Sequence, residues 1–437
     1  MRNVVITLVA ALSLGMAQDK PAESKPAQKV AKDQKEADLI NSLPKEADPA
    51  KRLQTLDTWT KDYPQTAFDD VRDQVYLATY MQLRRPQDVF NRAKEIVGKH
   101  PNDFTALYAL IAYVQYLNNG NPQNGDLDTA EQACHHIIDN AGAVFADSNK
   151  PADIPAANWP ALRTSTPQMA QKTIGYIYFQ RKDWPRAETE LTKALQEDPT
   201  QAQASFMLAT ALFSQREKDP KKQPPSIFEF ARAASYDGAN SLPAATRQTI
   251  LASVTKTYAA YHGSNDGLND VLALAKTNAL PPADFNIKST ADLAQDKAAA
   301  QAAADAANPS LALWRNIREQ LTGEGGQAYW DGTVKDAGLP GGAGGVNKFK
   351  GTIVSMTPEN RPKEIVLAVE KPGVADVTLK FEAALPGKMD PGETLEFEGQ
   401  AKDYSKDPYM LTIATDKDKI VGWTGRNPAA PRKKKAQ

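Results

Sequence analysis

Between Gln168 and Gln201, small and aromatic side chains fall at the offsets that let two short antiparallel helices pack closely. The first helix carries Ile174, Gly175 and Tyr178, the second Ala187, Leu191 and Ala194, and Pro199 ends the unit. Gly175 and Ala187 are small enough for the helices to approach, while Tyr178 and Leu191 fill the remaining space. Asp183-Trp184-Pro185 supplies the turn, with proline at the start of a helix, where its missing N–H costs nothing. A second copy follows in phase, 34 residues on, with Leu208, Ala209 and Leu212. Its partner helix, about Ser226–Ser235 with Phe228 and Ala231 inward, comes after the polar insertion Lys218–Pro225. Weaker copies lie upstream. Tyr76, Leu77 and Tyr80 go with Val89, Ala93 and Pro101, and Ile111 and Val114 go with Ala130, Cys134 and Ile137 across a break at Asn118–Gly125. The stretch Arg52–Pro64, with Leu53, Leu56 and Trp59, reads as a preceding second helix.

This pattern resembles the tetratricopeptide repeat over about half of the chain. The resemblance implies an α-solenoid of antiparallel helix pairs, in which stacked units leave a curved face lined by the first helices. Carried over position by position, it places Tyr108, Gln115 and Tyr116, then Met169, Lys172, Tyr176 and Phe179, then Gln203, Phe206 and Phe213 along a partner-binding groove. An aromatic groove of this kind suits an apolar or extended peptide segment. The charged clamp that some family members use for a terminal carboxylate is matched at Lys172 alone, with Tyr176 standing where an asparagine is required.

The chain has 437 residues, 41% hydrophobic and 24% charged, enough to bury more than one core. Lys plus Arg of 52 against Asp plus Glu of 53 leaves a formal charge of −1, which argues against a general nucleic-acid or polyanion binder. Residues 1–17 read as a signal peptide, with Arg2 before an apolar run to Met16 and small residues at Gly15 and Ala17. The run is short of the ~20 residues that a membrane span requires, so the expectation is an exported, periplasmic or envelope-associated bacterial protein with no integral segment after cleavage. Residues 18–38 read as a flexible linker without aromatics, 39–262 as the helical repeat domain, and 263–346 as a helical connector with the Gly-rich hinge Gly341–Gly345.

After the hinge the hydrophobic period changes to two. Phe349–Ser355, Glu364–Glu370, Asp376–Phe381, Thr394–Gly399 and Met410–Ala414 predict a small all-β domain over 347–424, a barrel or sandwich of possible oligonucleotide/oligosaccharide-binding type. Residues 425–437 read as a solvated basic tail containing Arg432–Lys435. Tyr404, Tyr409, Trp423 and Lys402 sit near predicted strand ends, so an alternative is that this domain binds an envelope polysaccharide or small ligand while the repeats act as a spacer or oligomerisation module.

No residue set predicts catalysis. Cys134-His135-His136 cannot converge on one ion, because consecutive helical residues point about 100° apart; Cys134 reads as core beside exposed histidines. His100 and His262 stand alone in the sequence. Asp126 and Asp128 near Asn121 and Asn124 are out of register with a calcium loop and read as a loop followed by a helix cap. Gly323–Gly326 and Gly341–Gly345 lack the Lys-Ser/Thr ending of a phosphate loop. The expected function is therefore a non-catalytic scaffold, without cofactor or metal, that binds a protein or peptide and no nucleic acid.

Overall fold

The computed structural model describes residues 29–426, so the leader, most of the 18–38 linker and the basic run Arg432–Lys435 lie outside the described residues. The chain divides into two compact units, Met1–Thr290 and Ala291–Gln437. Residues 291–346 of the expected connector thus share a unit with the strands.

The described part of the first unit is helical. Helix α1 (Gln34–Ser42) begins inside the span read as a linker. Asp33 accepts the Glu36 backbone N–H at 2.9 Å, and the Glu36 carboxylate takes the indole N–H of buried Trp59 at 3.0 Å. Order in this polar stretch is thus supplied by a residue 23 positions away on α2 (Pro49–Asp62), which local composition does not register. There follow α3 (Asp69–Gln82), α4 (Pro86–Lys99), α5 (Phe104–Tyr113), α6 (Asn124–Asp139), the single turn α7 (Ala141–Val144) and α8 (Trp159–Gln180). Then come α9 (Trp184–Glu197), α10 (Ala202–Gln215), α11 (Gln223–Ser235), α12 (Ala244–His262) and α13 (Leu268–Thr277).

Most long helices pack on their neighbours in the chain, α3 on α4, α8 on α9, α9 on α10, α10 on α11, while α13 packs with α12 on α11. The α3–α4 and α8–α9 turns share one geometry. Arg84 and Lys182 adopt left-handed φ of 55° and 56°, and the N–H groups of Arg85 and Asp183 donate to the carbonyls of Tyr80 and Tyr178 at 3.1 and 3.0 Å. This is the Schellman closure of a helix end, and a proline then starts the next helix. The buried faces follow helical period, as in Val89, Phe90, Ala93 and Ile96 on α4 and Ala187, Leu191, Ala194 and Leu195 on α9. α8 extends nine residues upstream of Gln168 and carries Pro167 internally, so the first helix of the strongest repeat is longer than its pattern.

In the second unit, α14 (Thr290–Ala307), which starts at the boundary, buries none of its residues. The polar, Ala-rich sequence offers it no apolar stripe. α15 (Pro309–Thr322) and the turn α16 (Gly326–Tyr329) precede β1 (Gly338–Leu339), β2 (Phe349–Thr357), β3 (Glu364–Ala368), β4 (Val377–Lys380), β5 (Thr394–Phe397), β6 (Gly399–Lys406), β7 (Tyr409–Ala414) and β8 (Ile420–Val421). They form one eight-stranded curled sheet in the order β1-β6-β7-β4-β3-β2-β5-β8, with β4 and β7 parallel and every other pair antiparallel. Buried and open residues alternate, as in Tyr409, Leu411 and Ile413 on β7. The core joins Phe349, Ile353, Leu367, Leu379, Phe397 and Leu411 to Trp314, Ile317 and Leu321 of α15, so this helix is part of the β-unit's core.

The strand expected at Thr394–Gly399 breaks at Glu398, whose N–H turns to Lys419 O at 3.2 Å, and β6 continues through Lys406. That continuation is polar after Ala401 and shows no apolar alternation to read. Gly399 is required at the join, since a Cβ there would lie 2.4 Å from Ala414 O.

Candidate functional site

Met169, Lys172, Tyr176 and Phe179 recur every three to four residues along α8, so they share one face, and all four are half-buried. On α10 Gln203, Phe206 and Phe213 hold equivalent spacing, Gln203 exposed and the two phenylalanines half-buried. Lys172 Nζ donates at 3.1 Å to Oε1 of Gln201, the residue that precedes α10, and so ties the α8 stripe to the start of that helix. Tyr176 contacts both the α5–α8 core and the core shared by α9 and α10.

Electrostatically the stripe centres on Lys172. Burial pushes its ammonium below the usual lysine range, opposed by nearby Asp198. Burial would raise the Asp198 carboxyl, but hydrogen bonds from Thr200 Oγ1 at 2.6 Å, the Thr200 backbone N–H at 2.9 Å and Gln201 Nε2 at 2.5 Å outweigh it and hold it low. Lys172 is therefore a partly desolvated cation hydrogen-bonded to a neutral amide. The Tyr176 phenol is also raised by burial.

The aromatic rings are partly spent on packing. Phe179 meets Trp184 edge-on at 5.7 Å, Phe206 and Phe213 both meet Phe230 of α11 at 5.9 and 6.3 Å, and the Arg216 guanidinium lies 3.7 Å from the Phe213 ring centre. Phe179, Phe206 and Phe213 all stay half-buried. Tyr108 on α5 packs on Phe104 at 6.0 Å at the margin of the first core. Gln115 and Tyr116 lie beyond the end of α5, on a 3-10 turn that Asn118 and Asn119 close with left-handed backbones. Gln115 returns to Ala112 O at 3.3 Å, and Tyr116, 58% exposed, contacts Tyr113. The structure thus brings together the α8 and α10 residues and leaves Gln115 and Tyr116 apart from a helical stripe.

The residues read as structural divide similarly. A Cβ on Gly175 would stand 2.7 Å from Leu191 Cδ2, and Ala187, Leu191 and Ala194 are buried. Tyr178 packs against the Ala187–Leu191 core and in addition donates its hydroxyl to Glu131 Oε1 of α6 at 2.5 Å, with Arg186 4.9 Å from its ring centre. Glu131 also pairs with Arg181 at 2.6 Å. The Pro199 carbonyl accepts from Arg232, which in addition donates to Ala275 O and Asn278 O at 3.0 and 2.8 Å. One turn before it on α11, Glu229 is fully buried, and neither carboxylate oxygen has a partner within hydrogen-bonding distance. Sequence reasoning missed the burial of Glu229 and Arg232, because a charged residue in a helical run reads as a solvent face unless its apolar flanks Phe228, Ala231 and Ala233 are weighed.

Cys134 is buried, with its thiol pushed up by burial, while His135 is exposed and His136 Nε2 contacts Asn102 Oδ1 at 2.8 Å. Asp126 accepts the Gln123 backbone N–H at 3.3 Å at the start of α6. Among the described residues no group of three or more His, Cys, Asp or Glu could hold a metal ion, and no helix is long and apolar enough to cross a membrane.

The four β-unit residues singled out from sequence do not converge. Tyr409 is buried beneath Trp314, Trp423 Nε1 donates to Pro386 O at 2.9 Å, Lys402 pairs with Asp336 at 2.7 Å, and Tyr404 stacks on Trp330. No family model matches the chain, and no curated protein matches it.

Proposed function

We propose that the protein is a non-catalytic exported scaffold of the cell envelope whose first unit, a tetratricopeptide-like solenoid, holds an extended segment of a protein partner against α8 and α10. The observation that carries this reading is the half-buried stripe Met169, Lys172, Tyr176 and Phe179, tied through Lys172–Gln201 to the start of α10, the helix that carries Phe206 and Phe213. Rings fixed by edge-on neighbours are pre-organised, so a partner bears most of the ordering cost. The shared closure at Arg84 and Lys182 and the close Gly175–Leu191 approach support the repeat assignment. For the second unit, strand pairing supports a barrel of the oligonucleotide/oligosaccharide-binding type. β2 pairs with β3 and β5, β4 runs parallel to β7, β7 pairs with β6, and only Glu398 separates β5 from β6.

The test is crosslinking in the native host with a photo-reactive residue at position 179, followed by mass spectrometry. A repeatable protein partner, lost when the probe moves to exposed Lys193, supports the scaffold. A folded, exported protein that captures nothing overturns it.

A further inference from the structure

We infer that the second unit carries a binding site for an uncharged carbohydrate, in the recess between the Gly-rich turn after α15 and strand β6. The inference does not depend on the peptide reading, which concerns the other unit. The recess is open, about 610 Å³, and is lined by Leu321, Gly323–Gly326, Gln327, Tyr404 and Lys406.

Its shape is imposed by the turn. Gly325 has φ of +86°, and a Cβ on Gly326 would lie 2.0 Å from Leu321 O, so only glycine lets the chain fold back onto the end of α15. Lys406 Nζ ties the opposite wall to the turn by donating to Gly323 O at 3.2 Å. Tyr404 is half-exposed and backed by buried Trp330, ring centres 4.9 Å apart at 39°, so one face is braced. A braced ring with a partly open surface is a stacking platform for the C–H face of a sugar.

Around it stand groups suited to hydroxyls. Gln327 Nε2 donates to Asp331 Oδ2 at 3.0 Å, which orients its amide oxygen as an acceptor, and Lys406 keeps two further N–H donors. Glu324 is exposed and adds a carboxylate acceptor. Charge narrows the ligand. One Lys stands with one Glu in the lining, and Asp331, bound to Gln327, adds a second carboxylate, so the recess has no cationic surplus to hold a phosphodiester or other anion, while a neutral polyol needs none. A second recess in the same unit, of about 530 Å³ around Asn308, Ser310, Lys350 and Glu396, has no aromatic in its lining.

The experiment is calorimetric titration of the full chain with maltotetraose, cellotetraose and chitotetraose, and with a short thymidine oligonucleotide as an anionic stacking ligand. At least one neutral sugar is expected to bind, with affinity reduced about tenfold in Tyr404→Ala, the loss of one stacking contact. Because Tyr404→Ala also removes packing from Trp330, Gln327→Ala and Glu324→Gln, both at exposed positions, are measured alongside and should weaken the same sugar without lowering the melting temperature. Absence of binding by all three sugars, binding unaffected by all three substitutions, or preference for the oligonucleotide would each overturn the site.

Discussion

The Trp314 indole N–H donates to Asp376 Oδ2 at 3.2 Å, tying α15 to the loop between β3 and β4 inside the second unit's core. The same carboxylate accepts the backbone N–H groups of Val369 and Glu370 at 2.8 and 2.9 Å. Burial nonetheless holds Asp376 above the usual aspartate range. Asp376→Ala orphans three donors and should cost about 2–4 kcal/mol, whereas Trp314→Phe removes a single donor and should cost about 1 kcal/mol beyond its lost packing. Hydrogen exchange of the 309–322 amides in the full chain checks this. Equal loss of protection in both variants would mean that the carboxylate does not hold the helix.

Gly175 and Leu191 set the spacing of α8 and α9. A Cβ at 175 would crowd Leu191 Cδ2 at 2.7 Å, Cγ at 2.8 Å and the backbone N at 3.3 Å, and the last cannot rotate away. Gly175→Ala should therefore destabilise by about 1–3 kcal/mol, and Gly175→Leu should prevent this hairpin from closing. In a Leu191→Ala background the cost of Gly175→Ala should fall, a coupling that chemical denaturation of the four-member cycle resolves. Strict additivity would contradict the contact.

Glu229 makes stability pH-dependent. Burial raises its pKa from 4.5 to about 8, against Ser205 and Arg232, which favour the charged form. The folded pKa exceeds the unfolded one, so the contribution is fully present below pH 4.5 and is lost as pH rises to about 8. The slope is roughly 1.4 kcal/mol per pH unit within that window. Glu229→Gln should flatten the profile there, leaving the variant the more stable protein above pH 8. Parallel urea midpoints for both proteins from pH 5 to about 9 would rule out a buried neutral carboxyl.

Cys134 should be chemically silent in the native state. Its side chain is fully buried among Ala130, Ile137 and the α5 core, and desolvation disfavours the thiolate. A thiol reagent should label the chain once in denaturant and not at all under native conditions. Rapid native labelling would show that α6 opens locally.

Much of the helical half was legible because its signal is local. Gly175, Ala187, Leu191 and Ala194 are small or apolar at helical spacing, and all four are buried. The strands other than the two short edge strands and β6 were legible from alternation. β6 was not, because Asp403, Ser405 and Lys406 are exposed on a strand held by backbone pairing with β7, which leaves no pattern in side-chain polarity. α1 was missed for the converse reason, since Glu36 is ordered by the Trp59 indole.

For the candidate site, period alone placed Met169, Lys172, Tyr176 and Phe179 on one face. It did not separate ligand surface from packing, because Phe206 and Phe213 turn edge-on to Phe230, whose position depends on how α11 docks.

Periodicity and side-chain size act over neighbouring turns, so they set the class of each half, helical hairpins followed by a β-unit, and the residues that permit close helix approach. That α15 belongs to the β core through Trp314, that Tyr178 bonds Glu131, and that Glu229 and Arg232 are both buried emerged only when distant segments came together. Those outcomes rest on which groups distant segments bring into one desolvated place, where a hydrogen bond or an unpaired charge carries an energy it would not have in water.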